Sequence, residues 1–133
     1  MTKYEDFTIE NARKFDFGQR GNFHLMPVLE ESLSLINKLS PEYIYGYVKK
    51  INKEIIKKTS EIGFTHIKDK YRAQHYLGLR FENEIPDKFI DKLMSENIYI
   101  SSRGKRALRV TPHIWNSHED VDKFVTALTK ILN

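Results

Sequence analysis

Three groups of residues in this chain have types and spacings from which chemistry could be built. Gly18-Gln19-Arg20-Gly21 is a GxxG, the short loop with which some modules clamp a nucleic-acid backbone. Lysines crowd from Lys49-Lys50 to Lys57-Lys58, a stretch that can meet phosphates or simply solvate one face of a helix. Arg103 and Arg106 flank a turn and read as solvated, whereas Arg109 falls inside a strand, where an arginine by itself commonly pairs with a surface acid. The five histidines, His24, His66, His75, His113 and His118, lack metal-ligand spacing. No serine stands in the glycine-flanked turn of a hydrolase nucleophile. The chain has no cysteine, which excludes disulfides, thiolate metal sites and a thiolate nucleophile.

The elements that must position these groups follow from periodicity and punctuation. Residues 1–24 form an irregular lead-in. Pro27 suits a first helical turn, and Leu29, Leu33 and Ile36 share one helical face to a stop near Leu39. Ser40-Pro41-Glu42 restarts a helix with a cap, an early proline and an acid against the dipole. Its apolar positions are Ile44, Val48, Ile51, Ile55 and Ile62, and Gly63 offers a left-handed terminus. Residues 64–75 read as loop. Tyr76–Phe81 alternates as a strand, Pro86 to Glu96 as a short helix stopped by Asn97, Ile98–Ser101 as a second strand, and Ala107–Thr111 as a third. Ser117, with acids after it, opens a last helix whose stripe is Val121, Phe124, Val125, Leu128 and Leu132.

The predicted architecture is α+β: a small antiparallel or mixed sheet of about three strands, covered by helices on one face and preceded by a long connecting helix. The whole of 1–133 reads as one domain, with helices over 25–63 and the sheet region over 76–133. The composition, 40% hydrophobic and 30% charged with net charge +4, is that of a soluble protein. No apolar run reaches the ~18 residues of a membrane span. The N-terminus has no secretory pattern, and the expected location is the cytoplasm.

Two ordered motifs then carry a resemblance. Ile98-Tyr-Ile-Ser-Ser-Arg-Gly, Leu108-Arg-Val-Thr-Pro-His, Ile-Trp-Asn-Ser and Glu119-Asp-Val-Asp-Lys-Phe together resemble the closing motif of class V aminotransferases. Upstream, Phe15-Asp-Phe-Gly-Gln-Arg-Gly-Asn-Phe23 is similar to that family's re-entry segment after the cofactor lysine. The resemblance runs from about Ala12 to Leu132. It implies the small C-terminal domain of a pyridoxal-phosphate enzyme acting on an amino acid, whose N-terminal domain would carry the Schiff-base lysine. None of the 15 lysines here lies in a matching motif, so the chain alone is expected to hold no cofactor and to be inactive.

By the same resemblance Arg109 grips the substrate carboxylate, Asn116 belongs to the substrate-binding loop, in a shaping role, and Gln19 and Arg20 face the cofactor phosphate. The implied partners are the N-terminal cofactor-binding domain or its homologue and further copies of the chain. Cysteine desulfurases are close to this family, but they need a thiolate that this chain lacks. The rival reading is a KH-like RNA-binding module using the Gly18–Gly21 loop. Arg13–Phe17 is short and aromatic for the helix that should precede such a loop.

Overall fold

The computed structural model describes residues 22–132, so Gln19, Arg20 and the Gly18–Gly21 loop lie outside the described residues. The chain divides into two compact units, Met1–Lys38 and Leu39–Asn133, each described by itself. In the first, the Asn22 side chain accepts a hydrogen bond from the Leu25 N–H at 3.2 Å. That cap starts helix α1, Leu25–Leu39, two residues before the expected proline. No residue of α1 is buried. Leu25, Met26, Val28, Leu29, Leu33, Leu35 and Ile36 are all exposed.

The second unit opens with α2, Pro41–Glu61. Its cap is the expected one: Ser40 Oγ accepts from the Tyr43 N–H at 3.1 Å. At the other end Gly63 takes φ 90°, and the Phe64 and Gly63 amides donate to the Thr59 and Ser60 carbonyls, a Schellman closure that needs the left-handed residue. Helix α3, Phe89–Ser95, ends the same way. There Asn97 has φ 60°, and the Ile98 amide donates back to the Leu93 carbonyl at 2.9 Å. Ser117 and Asp120 cap each other's amides at the start of α4, His118–Leu132, a capping box with aspartate in the third position.

Three short strands, β1 (Leu77–Arg80), β2 (Ser101–Arg103) and β3 (Ala107–Val110), form an antiparallel sheet in the order β1-β3-β2. Leu77 faces Val110 and Leu79 faces Leu108. These four meet Ile51 and Ile55 of α2, Phe89 and Leu93 of α3, and Val121, Phe124, Ala127 and Leu128 of α4 in one core. The α+β class and the three-stranded sheet are therefore as expected, and the sheet is wholly antiparallel.

Two boundaries move by three residues. The second strand begins at Ser101 instead of Ile98, because Gly104, at φ 61°, closes a tight turn that pairs Arg103 with Ala107. Ile98 and Ile100 pack, half-buried, against the core without a strand partner. The third helix begins at Phe89 instead of Pro86, because Lys88 has φ 58° and the preceding residues turn the chain so that Phe89 enters the core. The 64–75 loop also has internal order. It holds a 3-10 turn, Asp69–Tyr71, and Thr65 pairs with Arg80 beside β1.

That loop is tied down by polar groups that periodicity does not reveal. Asn52, fully buried on α2, donates its side-chain N–H to the Gln74 carbonyl. Gln74 in turn donates to Asp69 at 2.9 Å, and Asp69 also receives Arg72 at 2.7 Å. Across the helices, Glu54 takes Lys58 at 2.6 Å and also pairs with His118 of α4. Lys58 first, then His118, holds the Glu54 carboxyl below its ordinary value.

Candidate functional site

Alternation along the strands sorts the sheet into two faces. With Leu77, Leu79, Leu108 and Val110 in the core, Gly78, Arg80, Ala107 and Arg109 stand on the opposite face. The register decides their neighbours. Arg109 lies across from Gly78 on one side and Ser101 on the other, while Ala107 lies across from Arg80 and Arg103. Small residues thus flank Arg109 on both sides. A methyl group built on Gly78 would meet nothing within 4 Å, so the floor beside the guanidinium is open.

Arg109 Nη1 donates to the Tyr76 hydroxyl at 3.1 Å, and its guanidinium carbon lies 5.6 Å from the centroid of the same ring. The phenol takes one N–H of the fork and leaves the other N–H groups of the guanidinium able to donate. Tyr76 is held below the usual phenol value, first by the Arg109 hydrogen bond; burial opposes this, and Arg103 adds to it from β2. Among the described residues no carboxylate pairs with Arg80, Arg103 or Arg109. Arg109 is therefore not spent on a surface acid there. A preset guanidinium with no counter-charge among the described residues is suited to a carboxylate arriving from solution.

The Tyr76 contact is checked by its ionisation. Arg109→Gln should move one tyrosine titration upward toward the ordinary phenol range, followed by ultraviolet absorbance against pH, with Tyr76→Phe identifying the signal. A tyrosine profile indifferent to Arg109→Gln would mean that the two side chains do not meet in solution.

Asn116 is engaged elsewhere. Its side-chain oxygen accepts from the His113 N–H at 2.9 Å, its own N–H donates to the His113 carbonyl at 3.0 Å, and its carbonyl accepts from the Tyr47 hydroxyl at 2.8 Å. His113 stacks on Trp115, their ring centroids 3.9 Å apart. Asn116 and Trp115 line a groove of about 660 Å³ with Tyr99, Val110 and Phe124, and Arg109 is not among its walls. No hydrogen bond joins Arg109 to Asn116. Tyr76 carries no motif in the sequence, and Arg103, beside a turn, reads there as solvated. The signal for both was strand parity, since Tyr76 precedes the inward Leu77.

No family model matches the chain, and no curated protein matches it. Solved structures do. A NifS-like protein from Rickettsia africae ESF-5 superposes with a TM-score of 0.65 at 18% identity, covering 74% of this chain and 31% of that one. A second NifS-like protein gives 0.60 at 20% identity, covering 80% of this chain and 30% of the other. This chain shares its fold with part of the NifS-like proteins. It spans a little under a third of their length.

Whether the described residues suit the pyridoxal phosphate implied by the sequence resemblance is a matter of lysines. A Schiff-base lysine is activated by desolvation or by a nearby cation, either of which lowers its pKa. No lysine among the described residues is buried. Lys58, bridged to Asp122 and Glu54, is shifted upward, the wrong direction. Among the described residues, then, no lysine is set up to form the Schiff base, and no chemical step is routed through the cofactor. Gln19 and Arg20, the residues matched to its phosphate, lie outside the described residues. Among the described residues there is no group of three metal-ligating side chains, and no helix is long and apolar enough to cross a membrane.

Proposed function

We propose that this chain serves as the small, carboxylate-binding domain of a pyridoxal-phosphate-dependent, class V aminotransferase-like enzyme acting on an amino acid. The observation that carries this reading is Arg109, set on an open sheet face by Tyr76 and by small cross-strand neighbours, in a fold shared with NifS-like proteins. The chain's own contribution is to orient the amino acid by its carboxylate. The cofactor lysine belongs to a separate domain or its homologue. Without a cysteine the chain offers no thiolate to accept sulfur, which favours transamination or epimerisation over desulfuration.

The test has two parts. Pyridoxal phosphate titrated into the full chain, then reduced with borohydride and mapped by peptide, should label no single lysine preferentially; saturable labelling of one lysine would overturn the division of labour. In an enzyme reconstituted with a cofactor-bearing domain, Arg109→Ala should raise the apparent KM for the amino acid roughly ten- to hundredfold. That range corresponds to the ~1.5–3 kcal/mol of a hydrogen bond to a charged group. An amine lacking the carboxylate should be almost unaffected. Equal effects on both substrates would remove Arg109 from the site.

A further inference from the structure

We propose that the open face of the sheet takes a short dicarboxylate, with Arg109 holding one carboxylate and Arg103 the other, so that the amino acid served by this domain is an acidic one. The inference rests on the carboxylate role of Arg109 and goes beyond it by naming the side chain of the ligand.

The geometry comes from the strand register. Ser101 on β2 faces Arg109, and Arg103 on the same strand faces Ala107. Arg103 is thus the diagonal neighbour of Arg109 on the same face of the sheet. Such pairs stand about 7–8 Å apart, within reach of long side chains. Arg109 meets the Tyr76 phenol by a hydrogen bond at 3.1 Å, and Arg103, its diagonal neighbour on β2, helps to hold that phenol below its usual value. The phenol oxygen accepts from Arg109, and its own O–H remains able to donate to a ligand oxygen lying between the two guanidinium groups.

Charge points the same way. Two arginines set diagonally on one face of a sheet repel each other, and among the described residues no acid neutralises either. Neighbouring side chains do not obstruct the approach, since Gly78, Ser101 and Ala107 are small. A single carboxylate satisfies one fork and leaves the second cation unpaired. Two carboxylates on a short chain satisfy both, and the diagonal offset suits two separated anions better than one compact anion. Arg80 is on the same face, across Ala107 from Arg103, and supports the positive field at the end away from Tyr76.

The experiment is an NMR titration of the full chain at low, constant ionic strength with three probes: acetate, succinate and inorganic phosphate. Succinate should bind about tenfold more tightly than acetate, the gain from one further charge-assisted contact. Arg103→Gln should remove that gain and leave acetate binding as it was, which also shows that the variant is folded. Arg109→Gln should weaken both carboxylates. Equal binding of succinate and acetate, both still sensitive to Arg109→Gln, would overturn the dicarboxylate inference and leave the carboxylate role of Arg109 standing. Carboxylate binding indifferent to Arg109→Gln, or no binding at all, would remove the proposed function and this inference together. Phosphate binding more tightly than succinate would overturn the dicarboxylate in favour of a compact dianion.

Discussion

Phe89→Ala should destabilise the second unit by about 3–5 kcal/mol, the cost of emptying a large aromatic site in a packed core. Phe89 is 1% exposed and meets Phe81 edge-on, their centroids 5.9 Å apart at 87°. Phe81 in turn lies 4.0 Å from Phe64, so the three rings connect the end of α2, the end of β1 and the start of α3. Small domains have only about 5–15 kcal/mol of total stability, so the variant would lose a large part of it. The measurement is the urea midpoint, with Ile67→Ala as the comparison because Ile67 is 61% exposed. A shift for Phe89→Ala no larger than that of Ile67→Ala would show that the aromatic chain is not part of the core in solution.

Asn52→Asp should cost a similar amount at neutral pH, although it changes the side chain by a single atom type. Asn52 is fully buried and donates to the Gln74 carbonyl, with Gln74 Oε1 at 3.4 Å. A carboxylate there faces two acceptors, loses its donor and is buried without a cation, a defect worth about 3–5 kcal/mol. Burial raises such a carboxyl above its unfolded value of about 3.9. The folded variant therefore binds more protons than the unfolded one between those two values, and its stability falls as pH rises through that window. Protonated, the group regains a donor for Gln74, so the variant should come nearest to the parent chain below about pH 4. Denaturation profiles of both proteins across this range decide the matter: a deficit that does not change with pH would mean that position 52 is solvated.

Helix ends were the most legible part of the fold. Ser40, Gly63, Asn97 and Ser117 each act where their side chain or permissive φ satisfies a terminal amide or carbonyl, a local requirement that sequence states directly. The inward faces of α2 and α4 were readable for a related reason, since apolar residues at helical spacing must be removed from water together. Boundaries that depend on a distant partner were not. Ile98–Ile100 has strand-like composition, yet pairing begins only at Ser101, because the Gly104 turn sets which residues can face Ala107. The Asn52–Gln74–Asp69 chain was equally hidden, since nothing local requires a buried asparagine to find a loop carbonyl 22 positions away.

The candidate site divides along the same line. Arg109 could be named from its motif and placed within a strand, whereas the face it takes was set by the folded sheet, in which Leu108 and Val110 enter the core. Three facts about its surroundings came only from the folded chain: its contact with Tyr76, 33 positions away, the small residues across from it, and its diagonal pairing with Arg103. The sequence alone determined helix caps, the apolar stripes of α2 and α4, the α+β class and the absence of any thiolate, all properties of residue type and short spacing. Strand order, register and the diagonal setting of two arginines on one face were decided by tertiary structure, because hydrogen bonding between strands and closure of the core choose among pairings that local preference leaves equivalent.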